Sequence, residues 1–157
     1  MANQMHVTAE PGKTDITITR EFNAPRALVF ETFTDPALVP QWWGPETTET
    51  IVEAMDVRAG GLWKYLHRSD GAEYTFFGVY HEITAPERIV NTYEFDGYPG
   101  VVGLIITTFE EKDGKTLLTE WSIYPSVDVR DAVLQSGMEQ GAAVLYNRLE
   151  ALIDTLK

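Results

Sequence analysis

Residues 126–157, SVDVRDAVLQSGMEQGAAVLYNRLEALIDTLK, decide how the rest of the chain is read. Leu134, Met138, Ala142, Leu145, Leu149, Leu152 and Leu156 recur every three or four residues, the spacing of one helical face. Ser126 and Asp128 are placed to cap the start, Asp128 and Asp131 set negative charge there, and no proline follows Pro125. The pattern predicts one continuous helix of roughly 45 Å, longer than a small domain needs to fill its core. Gly137, Gly141, Ala142 and Ala143 leave the middle of that helix nearly bare, although each internal glycine costs about 1 kcal/mol relative to alanine. Two explanations compete. Either another backbone approaches closely there, or space is being left.

What lies upstream must be something this helix can cover. A chain of 157 residues suits one domain with a real core. With 44% hydrophobic and 11% aromatic residues it is not disordered, and no run approaches the ~18 apolar residues of a membrane span, so no membrane insertion is expected. The 12 Lys+Arg against 24 Asp+Glu, a net charge of −12, repel phosphate backbones and argue against nucleic-acid binding. No cysteine is present, and His6, His67 and His81 are the only histidines, so thiol chemistry is excluded and neither a metal site nor a cofactor is expected. The N-terminus lacks a positive-then-apolar signal pattern, which makes a cytoplasmic location the default expectation.

Residues 1–13, MANQMHVTAEPGK, are polar and end at Pro11-Gly12, so they read as a flexible arm carrying a solvated His6, with one domain over 14–157. The alternating DITITREF at 15–22 predicts a first strand. Asn23-Ala24-Pro25 opens a short helix, and Asp35-Pro36 a second helical turn to Val39. Six strands follow, at 49–57, 62–68, 74–83, 88–95, 101–111 and 116–124, joined by turn signals such as Ser69-Asp70-Gly71 and Lys112-Asp113-Gly114-Lys115. Short connections make these an antiparallel meander. The expected fold is α+β, with a curved seven-stranded antiparallel sheet wrapped around the long C-terminal helix and two short helices between the first two strands.

The inner face of that sheet is where a ligand would be met. Trp63, Tyr65 and His67 share one face of their strand, as do Asn91 and Tyr93 of theirs, and Phe77 and Trp121 are read as further inner-face aromatics. Of the adjacent Trp42 and Trp43, one packs inward while the other walls a pocket mouth, the role expected of Trp43. Met138 and Ala142 line the bare helix face. An aromatic in such a fold is as often plain core as pocket wall, so the polar residues are more informative. A buried His67 or Asn91 needs a partner or a ligand, because an unsatisfied buried polar group costs about 1–3 kcal/mol. His67, Glu94 and Glu120 are the available proton carriers, but Glu120 opposes Trp121 in strand parity and should point outward if Trp121 points in. His81 reads as a solvated residue near a strand end.

Five stretches occur in an order that resembles a known family: Arg20-Glu21-Phe22-Asn23-Ala24-Pro25 with Val29-Phe30, Trp42-Trp43-Gly44-Pro45, Arg58-Ala59-Gly60-Gly61-Leu62-Trp63, Gly78 to Ile83 with Pro86-Glu87-Arg88-Ile89, and Gly137-Met138-Glu139-Gln140-Gly141. The element order resembles the helix-grip fold of the START and birch-pollen-allergen superfamily. The five stretches resemble its branch named after the activator of the heat-shock-protein-ninety ATPase, over about residues 14 to 157. The resemblance implies a cavity between curled sheet and helix. It does not choose an activity, since that superfamily holds lipid and hormone carriers, polyketide cyclases and domains of hydroxylating enzymes. Members of the branch often carry a tryptophan after the glycine corresponding to Gly141, where this chain has Ala142.

Three functions follow as expectations. The first is a carrier or sensor of a small apolar or aromatic molecule. The second is a cofactor-free cyclase, dehydratase or isomerase working through a cavity acid or base; no serine elbow, cysteine or metal cluster supports hydrolysis. The third is a co-chaperone-like protein-binding module with a protein partner or a homodimer, although activators of that chaperone use an additional domain beyond this one.

Overall fold

The computed structural model describes residues 4–157 and joins all its strands into one antiparallel sheet. Strands β1 (His6–Thr8), β2 (Asp15–Phe22), β3 (Glu49–Met55), β4 (Leu62–Ser69), β5 (Ala72–Thr84), β6 (Arg88–Phe95), β7 (Gly103–Lys112) and β8 (Lys115–Ile123) stand in the order β1-β2-β8-β7-β6-β5-β4-β3. The meander β3 to β8 forms as its turn signals predict, and the first long strand closes against the last, with Ile18 opposite Glu120. Helix α1 (Arg26–Thr34) and a 3-10 turn at Val39–Gln41 lie between β2 and β3. Helices α2 (Val127–Gln135) and α3 (Met138–Leu156) end the chain. This is the helix-grip architecture.

Two expectations are corrected. The sheet has eight strands rather than seven, because His6–Thr8, within the stretch read as a flexible arm, pairs with Thr17–Thr19 of β2. A second contact fixes the same segment. Arg130 of α2, 1% exposed, donates from Nη1 to the Asp15 carbonyl at 2.9 Å and from Nη2 to the Glu10 carbonyl at 2.8 Å. A short polar strand carries too little periodicity to announce itself, and its anchor lies more than a hundred residues away.

The second correction concerns the C-terminal run, which is two helices rather than one. Ser126 caps α2 by accepting from the Val129 amide at 3.1 Å. The helix then ends at Ser136, and Gly137 takes φ +88°, a left-handed conformation that favours glycine. From there α3 starts in a new direction. Its 19 residues span roughly 28 Å.

Along α3 the packing changes character. Leu149, Leu152 and Ile153 in the second half are buried in a core with Ile16, Phe22, Val29 and Leu118. Arg20 of β2, 2% exposed, ties the sheet to this half, donating to Asn147 Oδ1 at 2.9 Å and pairing with Glu150 at 3.4 Å. The first half carries Gly141 and Ala142 and has no such filling.

Arg130→Ala is expected to lower stability by about 2–4 kcal/mol, since the carbonyls of Glu10 and Asp15 lose the charged, buried donor that ties them to α2. Thermal denaturation measures this, and amide exchange at Val7 should accelerate as β1 loosens.

Candidate functional site

Between the inner face of the sheet and the first half of α3 lies a cavity of about 590 Å³. Met138, Gly141, Ala142, Leu145 and Tyr146 form its helical side. A Cβ placed on Gly141 would meet no atom within 4 Å. The bare patch therefore opens on space, and close backbone packing is excluded as its explanation. Tyr98, 69% exposed, also lines the cavity, so the loop joining β6 to β7 forms part of its rim.

The opposite wall is a continuous aromatic surface. Trp63 stands 4.8 Å from Tyr65 and 6.0 Å from Tyr93 between ring centroids, and Trp43 stands 5.0 Å from both Tyr65 and Phe76. These offset and edge-on contacts suit aromatic quadrupoles. Local sequence places each ring. Trp63 donates to the Thr92 carbonyl at 3.1 Å by lying over Gly78, where any Cβ would come within 2.7 Å of its nitrogen. Both adjacent tryptophans touch the cavity rather than dividing between core and pocket: Trp42 is buried and donates to the Thr32 carbonyl at 2.9 Å, and Trp43 packs on Tyr65 and Phe76.

Trp43, Trp63, Tyr65, Asn91, Tyr93, Met138 and Ala142 thus all lie on the cavity wall, and three other expected site residues do not. Phe77 opposes Lys64 and Glu94 on the outer face of the sheet, and its neighbour Phe76 takes the inner place, opposite Tyr65 and Phe95. Trp121 points outward, 41% exposed, with its indole nitrogen donating to Asp15 Oδ2 at 2.8 Å. An inner-face position is expected of so large an apolar ring, but the hydrogen bond to Asp15 holds it on the outer face. His67 is buried behind the wall, with Trp43 and Phe76 at 4.9 and 5.0 Å screening it from the cavity. Its Nε2 has no hydrogen-bond partner. Burial, and secondarily the charge of Arg148, lower its pKa. Arg148 itself donates to the carbonyls of Gly44 and Gln41 and so holds the Trp42-Trp43 segment to α3. His81 is exposed, as read.

Because Trp121 points out, Glu120 points in. The parity argument that removed it from the cavity runs the other way. Glu120 lines the cavity and accepts a 3.1 Å hydrogen bond at Oε2 from the Tyr146 hydroxyl. Burial raises its pKa, which the Tyr146 hydrogen bond partly opposes. Tyr146, Tyr124 and Tyr93 feel its charge in turn, and burial raises all three phenols. Tyr80, hydrogen-bonded to Tyr65, is pushed up to about 12 by burial. Tyr146 was the more legible omission, since it follows Ala142 by four residues on the same helical face. Among the described residues no three His, Asp or Glu side chains converge as a metal site would require.

Fold and site together define a helix-grip protein with a large, aromatic-walled internal cavity. The chain belongs to the family of activator of Hsp90 ATPase homolog 1-like proteins, which matches residues 23–154. It is similar to the crystal structure of protein Ms6760 from Mycobacterium smegmatis, with 28% identity over 94% of each chain and a TM-score of 0.84. A solution structure from Staphylococcus epidermidis is 27% identical over 96% of this chain and 95% of that one, with a TM-score of 0.83. A protein of Rhodobacter sphaeroides shares the fold at 21% identity and a TM-score of 0.89, covering 97% and 99% of the two chains. No curated protein matches the chain. No helix among the described residues is long and apolar enough to cross a membrane.

The two perturbed groups make opposite contributions to stability against pH. His67 binds protons less readily folded than unfolded, so stability is lost as pH falls below its ordinary value of 6.5. Glu120 binds them more readily folded, so stability is lost as pH rises from its ordinary 4.5 through the raised value. Thermal melts between about pH 5 and 8 should show His67→Phe flattening the acid side and Glu120→Gln the neutral side.

Proposed function

We propose that the protein binds a small hydrophobic molecule between the sheet and α3, as a carrier or sensor. The observation that carries this is the unfilled space at Gly141 and Ala142 facing an unbroken aromatic wall. At about 590 Å³ the cavity falls in the range of small-molecule sites, which are mostly apolar with a few polar groups. An empty apolar void of this size would be costly, because its lining loses dispersion contacts. A bound apolar molecule restores them.

Glu120 gives the catalytic reading one supporting feature, a carboxylate inside the cavity. No histidine, lysine or second carboxylate joins it on the wall among the described residues. Binding needs nothing beyond what is there, so it is the preferred function. The family name suggests a co-chaperone role, but no surface feature among the described residues specifies a protein partner.

Native mass spectrometry of protein purified from cells should find a bound apolar compound. Ala142→Trp, which places an indole where the helix is bare, is expected to reduce its occupancy at least about tenfold, or about 1.4 kcal/mol in affinity. Unchanged occupancy in that variant would remove the cavity beside α3 from consideration.

A further inference from the structure

The cavity wall has one charged side chain among the described residues, and it is Glu120. Tyr146 is the sole hydrogen-bond donor to this carboxylate among them, and it engages Oε2 only. The cation nearest along the sheet is Arg20, one inner-face position from Ile18, which opposes Glu120. Its Nη1 donates to Asn147 and its Nη2 forms an ion pair with Glu150 at 3.4 Å, while no hydrogen bond runs from it to Glu120. Glu120 is thus an acid in apolar surroundings without a cationic partner from the protein, a costly arrangement unless something compensates it.

We propose that the occupant is a flat, mostly apolar molecule bearing an amine, whose positively charged nitrogen pairs with Glu120 while its apolar body lies against Trp63, Tyr65, Phe76 and Tyr93. The inference rests on the binding function proposed above and names the ligand class. A neutral hydroxyl could occupy the free oxygen but would leave the carboxylate charge uncompensated. An ammonium supplies both the hydrogen bond and the opposite charge, and such charge-assisted bonds are roughly twice as strong as neutral ones. The aromatic faces beside the site favour a cation further. The net charge of −12 concentrates cations around the protein and discourages anionic ligands.

Proton linkage follows from the groups that face Glu120. These are Tyr93 on β6, Tyr124 after β8 and Tyr146 on α3, and the charge of Arg20 on β2 acts on Tyr146 in turn. Burial raises the Glu120 carboxyl toward its neutral form and raises the three tyrosines as well, keeping them neutral. Amine binding then requires the carboxylate form and releases the proton of the neutral acid. Affinity for an amine should weaken as pH falls through the Glu120 titration, while affinity for a neutral analogue should not.

Isothermal titration of the full chain with naphthylmethylamine and with naphthylmethanol tests this, since the two differ in charge and little in shape. At about pH 8 the amine should bind at least about tenfold more tightly than the alcohol. In Glu120→Gln that ratio should fall to about one with alcohol affinity kept within about twofold, and Glu94→Gln on the outer face should change neither. On the unaltered protein, lowering the pH to about 5 should shrink the ratio in the same direction. Equal binding of both probes, or a preference that survives Glu120→Gln, would overturn the amine assignment and leave the cavity reading intact. Binding of neither probe would overturn both.

Discussion

A single 19-residue helix is the main cover for the concave face of an eight-stranded sheet, and its side-chain volume is unevenly spread. From Tyr146 onward, large residues fill the space under the helix and join a core with Phe22, Val29 and Leu118. Before Tyr146 the same side carries Gly141 and Ala142 between Met138 and Leu145, and a Cβ at Gly141 meets nothing. The closed end fixes the helix on the sheet through Arg20, Asn147 and Glu150, so the other end cannot simply settle inward. A cavity is what remains when one end of a rigid element is seated and the other is left bare. Cores elsewhere in the molecule have no such freedom, because protein interiors are close-packed.

The break at Ser136-Gly137 belongs to the same constraint. The left-handed Gly137 ends one helix and lets the next begin. From α2, Arg130 reaches the carbonyls of Glu10 and Asp15. Val129, Ala132 and Val133 of that helix contribute to the cavity wall, so the helix that ties down the N-terminal segment also closes one side of the cavity.

The meander, its turns and the closing helix were legible because each is signalled locally, by alternation, by Asp-Gly and Ser-Asp-Gly turns, and by helical periodicity. The helix-grip reading and most of the aromatic wall follow from those alone. What was not legible depends on long-range register. β8 reads KTLLTEWSI, apolar and polar on both faces, and nothing local says whether Trp121 or Glu120 faces in. The answer is set by Ile18 opposite Glu120 and by Asp15 holding the Trp121 indole, partners some hundred residues away. The same holds for Phe76 and Phe77, adjacent and chemically identical, where only pairing to Tyr65 or Lys64 distinguishes inner from outer. The helix break was hidden for a different reason: glycines at 137 and 141 look alike in sequence, yet one supplies a left-handed turn and the other only empties a face.

His67 and Glu120 show how position rather than residue type assigns roles in such a cavity. The histidine is the more familiar functional side chain, and it shares a strand face with Trp63 and Tyr65. Yet rings on both sides screen it, and its neutral form is favoured in a place no ligand reaches. The glutamate, on a strand whose tryptophan drew attention to the wrong face, lines the cavity with one oxygen held by Tyr146. Burial acts on both groups by disfavouring their charged forms. For His67 the charge of Arg148 acts in the same direction as burial, and its Nε2 has no hydrogen-bond partner. For Glu120 the Tyr146 hydrogen bond partly opposes burial, and the amine proposed above would restore the charge. Under the amine binding proposed above, the charge state of Glu120 would depend on the occupant and so distinguish ligands of similar shape, which the aromatic wall alone cannot do.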